Sequence, residues 1–229
     1  MQCPRCDSTH IRKNGKQKGK QNHICADCQR QFFEQHEPKG YSNLVKEECL
    51  KMYCNGMGFR AIERVKGVHH TTIICWVKQI GEQLADAPAL AEIPEVTELD
   101  ELQTFVGSKK KRIWVWTAVN HFAKGIWAWT TGERTAVTFE RLWKQVKTWQ
   151  SYFYVTDGYT VYPLFINAED QIVSKTYMTR VEGENTRLRH YLARLHRKTL
   201  CYSKSEKMLK YSIRLLLHYL HSGTIALLA

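Results

Sequence analysis

Hydrophobic and polar positions along the chain follow patterns that change at about residues 40 and 95. The first 38 residues or so offer too little apolar material for much of a core, and Asn14-Gly15 marks a hairpin-like reversal within them. From Ser42 to about Cys54, apolar residues recur at helical spacing (Leu44, Val45, Cys49, Met52, Tyr53) until Asn55-Gly56-Met57-Gly58 interrupts them. A short helix over Phe59–Val65, a turn at Lys66-Gly67-Val68 and a longer helix from His69 to about Leu84 follow, the last with Ile73, Trp76, Val77 and Ile80 inward. Periodicity then fades through Ala85-Asp86-Ala87-Pro88 to Ile93-Pro94-Glu95, which reads as a linker. Beyond it, strands are expected at Val96–Val106, Ile113–Asn120 and Gly125–Thr131, with a basic hairpin connection over Gly107–Arg112. A helix over Thr135–Trp149, a strand at Tyr152–Asp157, a short helix through Phe165 and a strand at Gln171–Met178 come next. A basic helix starts near Arg180, and an apolar helix over Ser205–His221 (Met208, Leu209, Ile213, Leu216, Leu217, Leu220) is expected to pack on the core or on a second subunit.

Cysteine spacing sharpens the first segment. Cys3-Pro4-Arg5-Cys6 and Cys25-Ala26-Asp27-Cys28 are two Cys-x-x-Cys knuckles eighteen residues apart. Each knuckle converges two thiolates from one turn, so the four sulfurs suit a closed, structural zinc site, whereas a thioredoxin-like redox pair lacks its βαβ setting. His10 and His23 read as surface residues, and Cys49, Cys54, Cys75 and Cys201 as packing residues. Such a short segment would draw most of its folding energy, about 10–16 kcal/mol, from the metal.

Charge then suggests a partner. The 229 residues carry 34 Lys and Arg against 22 Asp and Glu, a net +12, which fits a polyanion such as nucleic acid. The surplus gathers at Arg12, Lys13, Lys16, Lys18 and Lys20, around the helical triplet, and along Arg187–Lys198. The short helix, Gly-containing turn and longer helix match a DNA-binding helix-turn-helix. In that frame His69, His70, Thr71 and Thr72 start the recognition helix, and Arg60, Arg64, Lys66 and Lys78 meet phosphates. A basic face of Arg187, Arg189, Arg194, Arg197 and Lys198 is expected opposite Leu188, Leu192 and Leu195. With 43% hydrophobic residues, disorder throughout is excluded; no run of about 18 apolar residues and no apolar N-terminal run are present, which predicts a soluble, intracellular protein with no membrane partner.

Three acids stand apart from this charge trend. Asp100 lies inside an apolar strand, a costly position unless it is paired or metal-bound; Asp157 ends a strand before Gly158; Glu182 opens the basic helix. Three antiparallel strands followed by alternating helix and strand resemble the ribonuclease-H-like arrangement, in which carboxylates on these elements converge. Together the three could hold two magnesium ions, or manganese, roughly 3.5–4 Å apart around a phosphodiester. Taken singly, Asp157-Gly158 is also a turn signal and Glu182 a helix N-terminal acid.

Several blocks carry a more specific resemblance: Cys3-Pro4-Arg5-Cys6 with Cys25 and Cys28, Asn55–Ala61 with Gly67-Val68, Leu99-Asp100-Glu101, Gly132-Glu133-Arg134-Thr135, Thr156-Asp157-Gly158 and Leu192–Lys198. Over nearly its whole length the chain resembles transposases of the insertion-sequence-one family. The resemblance implies a prokaryotic, cytoplasmic, nucleoid-associated DDE transposase that binds the terminal inverted repeats of its element, cleaves there and joins the ends to target double-stranded DNA. It implies Asp100, Asp157 and Glu182 as the triad, with 24 residues between the last two. Gln103 stands where relatives commonly have Trp, and Glu184 adds an acid two places after Glu182; residues two apart on a helix point about 200° apart, so Glu184 is the fallback ligand.

The expected architecture is a multidomain α+β chain: zinc ribbon (1–38), helix-turn-helix (39–84), linker (85–95), ribonuclease-H-like domain with a mixed five-stranded sheet (96–200) and a helical extension (201–229). Joining two ends implies at least a homodimer. A repressor built on the same DNA-reading half and a nuclease that cuts without joining are the rival readings.

Overall fold

The structure, a computed structural model, describes residues 1–17, 19–33, 40–89, 92–225 and 227, and divides into two compact units, Met1–Ser42 and Asn43–Ala229. In the first, strands β1 (Ile11–Gln17), β2 (Lys20–Cys25) and β3 (Gln31–Phe33) form an antiparallel meander. The reversal is not at Asn14-Gly15. Gly15 has φ +68° and sits where the β1–β2 register shifts between Lys13 and Lys16, so the pair builds a bulge, which glycine allows without a Cβ clash. The chain turns instead beside Gly19 (φ +77°), next to Lys18, which lies outside the described residues, as do 34–38 of the expected ribbon. Among the described residues, Cys3, Cys25 and Phe32 make the buried apolar cluster here. His23 is buried as well, 6.0 Å from the Phe32 ring, contrary to its expected surface position.

The second unit opens with α1 (Asn43–Cys54), α2 (Phe59–Lys66) and α3 (His70–Gln83). Leu44, expected inward, is 66% exposed; Leu50 fills the core in its place. Gly67 (φ +68°) closes α2 in the left-handed region, its N–H donating to the Glu63 carbonyl.

Strands β4 (Val96–Val106), β5 (Ser108–Asn120), β6 (Ala128–Gly132), β7 (Phe153–Thr156) and β8 (Gln171–Val173) form one mixed sheet in the order β6-β5-β4-β7-β8. β4–β5 and β5–β6 are antiparallel; β4–β7 and β7–β8 are parallel. Gly107 (φ +77°) makes the turn after β4 so tight that Lys109–Arg112 extend β5 as an exposed strand end instead of forming the connection. Alternation along β4 and β5 sends residues to two cores. Leu99 and Trp116 join Phe139 and Leu142 of α4 (Ala136–Val146), with Tyr162, in an aromatic layer. Leu102, Val115 and Val119 join α5 (Thr179–Tyr191), α6 (Glu206–Ser222) and the inward faces of α1 and α3.

The helical triplet therefore shares its core with the sheet region. α3 crosses α6 so closely that a Cβ on Gly81 would lie 2.6 Å from the Tyr211 Cβ. The start of the expected linker is held too: Arg214 donates to Asp86 (2.8 Å), and the Trp129 indole donates to the Asp86 carbonyl (2.6 Å); residues 90 and 91 lie outside the described residues. The basic helix stops at Tyr191, where buried Leu192 turns the chain into a 3-10 turn over Ala193–Leu195. Among the described residues, no helix is long and apolar enough to cross a membrane.

Candidate functional site

The parallel pairing of β4 and β7 runs as far as Glu98 with Val155; Asp100 lies two residues further along β4 and Asp157 two residues beyond Val155, and the Asp157 charge is felt at Asp100. Asp157 follows the last residue of β7. Its Oδ1 accepts the Tyr159 N–H (2.9 Å) across Gly158, whose φ of +83° and Cβ position, 2.8 Å from Val173 Cγ1, both call for glycine. The turn signal and the acid are thus one device: the turn aims the carboxylate.

α5 supplies the third wall. Its first turn has no side-chain cap of its own; buried Glu98 reaches across from β4 and accepts the Val181 N–H (2.7 Å), while also bonding His121. A buried carboxylate on free N–H groups is favourable at this end of a helix. One turn later Asn185 donates to Asp100 Oδ2 (2.8 Å) and accepts from Thr117 Oγ1 (3.1 Å). Glu182, three residues before Asn185, is exposed, and its charge is felt at Asp100.

Burial pushes the Asp100 pKa up; the Glu101 N–H and Asn185 amide oppose this, and the negative charges of Asp157 and Glu182 raise it again, leaving the net shift upward. Two negative charges acting on a third acid at Asp100 suit a hard divalent cation, whose binding would relieve that repulsion. Their oxygens do not all come within 4.8 Å of one another, so they form an open set and not a closed cage for one ion. Glu184 is drawn elsewhere. It is buried, accepts the Gly125 N–H (3.0 Å) and is gripped by Arg187 through both oxygens (2.9 and 3.0 Å).

Behind Asp157 lies a second polar network. Buried Glu101 accepts from Tyr162 Oη (2.7 Å) and Arg134 Nε (2.6 Å), and the Arg134 guanidinium stacks 3.9 Å from the Tyr159 ring centroid. Glu98, Asn185 and Arg134 were not singled out as site residues from the sequence. Spacing offered a signal for two of them, because Glu98 shares the Asp100 face of β4 and Asn185 the Glu182 face of α5.

The cationic residues divide into groups. Arg189, Arg197, Lys198, Lys109 and His196 line a groove that also touches Glu101 and Gln103, beside the acids. Burial lowers the Arg189 pKa, with Arg197 adding to the effect. Arg60, Arg64, His70, Lys78 and Lys204 line another groove between α2–α3 and residues 193–208. His69 and Thr71 are exposed at the start of α3, with Thr72 half-buried. Lys66 is tied to Glu48. Arg12, Lys13 and Lys16 stand exposed along β1. Two of the expected phosphate contacts are engaged within the protein. Arg194 is buried, donates to Ser203 Oγ (2.6 Å) and stacks 5.4 and 5.3 Å from Tyr53 and Phe59; Arg187 is engaged by Glu184. For Arg194 the cause is the end of α5 at Tyr191, which turns the later residues off the helical face; Arg187 stays on the helix and is held there by Glu184, one turn earlier.

In the N-terminal unit the four sulfurs gather within 4.8 Å of one another, with Cys3–Cys28 at 3.5 Å and Cys6–Cys25 at 3.6 Å. Tetrahedral zinc–sulfur bonds would set these separations at about 3.8 Å. Burial pushes the Cys3 pKa up, but the backbone N–H groups of Arg5 and Cys6 and the neighbouring Cys28 and Cys6 thiols together bring it down to about 7. Of the other cysteines, Cys49 and Cys54 are packing residues, but Cys75 and Cys201 are exposed.

The family model for the IS1 transposase matches residues 95–222, which span the sheet, the three acids and α6. The chain belongs to the IS1 transposase family. Insertion element IS1 protein InsB of Shigella flexneri is 34% identical over 111 residues, 48% of this chain and 85% of that relative. The InsB protein of Shigella sonnei matches to the same extent, and Insertion element IS1 2 protein InsB of Escherichia coli (strain K12) is 35% identical over 108 residues, 47% of this chain and 65% of the relative. Membership of this transposase family implies DNA as a partner and a DNA-cleaving activity.

Proposed function

We propose that the chain is a DDE transposase that binds the terminal inverted repeats of its element, cuts there and joins the ends to target DNA, working as a homodimer or larger assembly. The observation that carries the proposal is that Asp100, on β4, feels the charges of both Asp157, just past the end of β7, and Glu182, on the helix anchored by Glu98. The strand order and the helices packed on it support a ribonuclease-H-like reading of the second unit. Asp100, Asp157 and Glu182 would hold magnesium or manganese, which when bound supplies Lewis-acid activation of a water or 3′-hydroxyl and charge neutralisation at the leaving oxygen.

The chain's own groups do the rest. Asn185 keeps one Asp100 oxygen oriented, and Tyr159 N–H does the same for Asp157. Arg189, Arg197 and Lys198 offer phosphate contacts along the groove beside the acids. In cleavage water adds to a phosphorus as the 3′-oxygen leaves; in joining, that 3′-hydroxyl forms the new P–O bond as a target P–O bond breaks. Zinc on Cys3, Cys6, Cys25 and Cys28 would be structural, because four sulfurs leave no open position. With inverted-repeat DNA and magnesium, purified protein should give strand-specific nicks and joined products. Activity persisting in Asp157→Asn would overturn the triad; hydrolysis without joining would favour a nuclease, and binding alone a repressor.

A further inference from the structure

A second gathering of metal-ligand atoms lies in the helix-turn-helix, remote in kind from the cysteines. Glu63 on α2 and His69 and His70 at the start of α3 place a carboxylate oxygen and two ring nitrogens all within 4.8 Å of one another. Glu63 Oε2 is 2.8 Å from His70 Nδ1, and its Oε1 is 3.7 Å from His69 Nε2; the two rings are 4.3 Å apart. Gly67, in the left-handed region with its N–H on the Glu63 carbonyl, and buried Val68 hold the connecting turn in shape, so the three ligands are set by the fold and not by loose side chains.

We propose that Glu63, His69 and His70 bind a divalent transition metal of the zinc class. Two imidazoles and one carboxylate are a zinc donor set, and hard magnesium would not choose it. Bond lengths of about 2.0–2.2 Å put tetrahedral ligand atoms about 3.3 Å apart. One atom from each residue already lies within 4.8 Å of the other two, and the 2.8 Å contact of His70 Nδ1 with Glu63 Oε2 would give way to the ion. Thr71 supplies the outer contact that ligating histidines use. Its Oγ1 is 2.7 Å from His69 Nδ1 and its backbone N–H 3.4 Å from the same nitrogen, which holds the ring with Nε2 toward Glu63. Three ligands leave one position open to solvent beside the 59%-exposed His69. The ion would tie α2 to α3 and fix the turn that precedes the recognition helix.

The test is zinc content per chain of the full protein, equilibrated with zinc in excess magnesium so that the carboxylate triad stays occupied by the harder ion. Wild type should retain one zinc more than His69→Gln or Glu63→Gln, with the cysteine site loaded in all three. Thr71→Ala should keep the ion but bind it about tenfold more weakly. Equal zinc content in wild type and variants would overturn the proposal. If Glu63→Gln fails to fold by circular dichroism, His69→Gln, at an exposed side chain, decides alone. The result is independent of cleavage and joining, so it leaves the transposase reading to its own assay.

Discussion

The two units of the molecule are stabilised in different ways. In Met1–Ser42 the buried cluster is two cysteines and one phenylalanine, so little apolar area leaves water and four converging sulfurs are the organising feature. In Asn43–Ala229 two large cores cover both faces of a sheet, and that surplus of packing tolerates acids held close together at Asp100, Asp157 and Glu182. On the proposed reading, a metal would make the first fold possible, whereas in the second the fold is already made and the metal would relieve a tension it contains.

Chelation should break this comparison most visibly. Stripping metal, or Cys25→Ser, should unfold the N-terminal unit, with up to about 10–16 kcal/mol of ligation energy lost, while the main thermal transition of the larger unit persists. Survival of the N-terminal β signals by NMR without metal would contradict it. In the larger unit, Glu98→Ala removes the acceptor for the Val181 N–H and the partner of His121, and should cost about 3 kcal/mol in denaturant unfolding. Gly81→Ala drives a Cβ into Tyr211, a cost of about 1–3 kcal/mol. The smallest effect has the opposite sign. Because the folded Asp100 pKa is raised, its stabilising contribution is full below the unfolded carboxyl pKa and is lost as pH rises through the folded value. Asp100→Asn should therefore raise the metal-free Tm modestly at neutral pH, narrow the difference at acid pH, and abolish the Tm gain that magnesium gives wild type.

Much of this was legible from local pattern. Knuckle spacing found the four cysteines, helical periodicity found α1 to α3, and Asp100 stood out as an acid in an apolar strand. What escaped depends on distant neighbours. Asn14-Gly15 has the composition of a turn, yet the bulge was decided by pairing across to β2. Gly107–Arg112 read as a connection because charge runs are usually loops, but Ser108 and Arg112 pair with Val106 and Phe105 of β4, and Lys109–Lys111 extend the strand across the register shift between them. Arg194 belonged to a basic run whose helix was expected to continue; its burial against Tyr53 and Phe59 depends on a chain reversal that no local spacing encodes. Glu98 and Asn185 act through distant partners, Glu98 on Val181 83 residues away and Asn185 on Asp100 85 residues away.

The choice between the two acids of α5 bears most directly on the proposed site, since exposed Glu182 acts on Asp100 and buried Glu184 is engaged by Gly125 and Arg187. Strand transfer by Glu182→Gln and Glu184→Gln, measured side by side on inverted-repeat DNA with magnesium, separates them. The account predicts that Glu182→Gln folds normally and falls to background, whereas Glu184→Gln loses stability but still joins ends. An active Glu182→Gln protein beside a folded, inactive Glu184→Gln protein would contradict it.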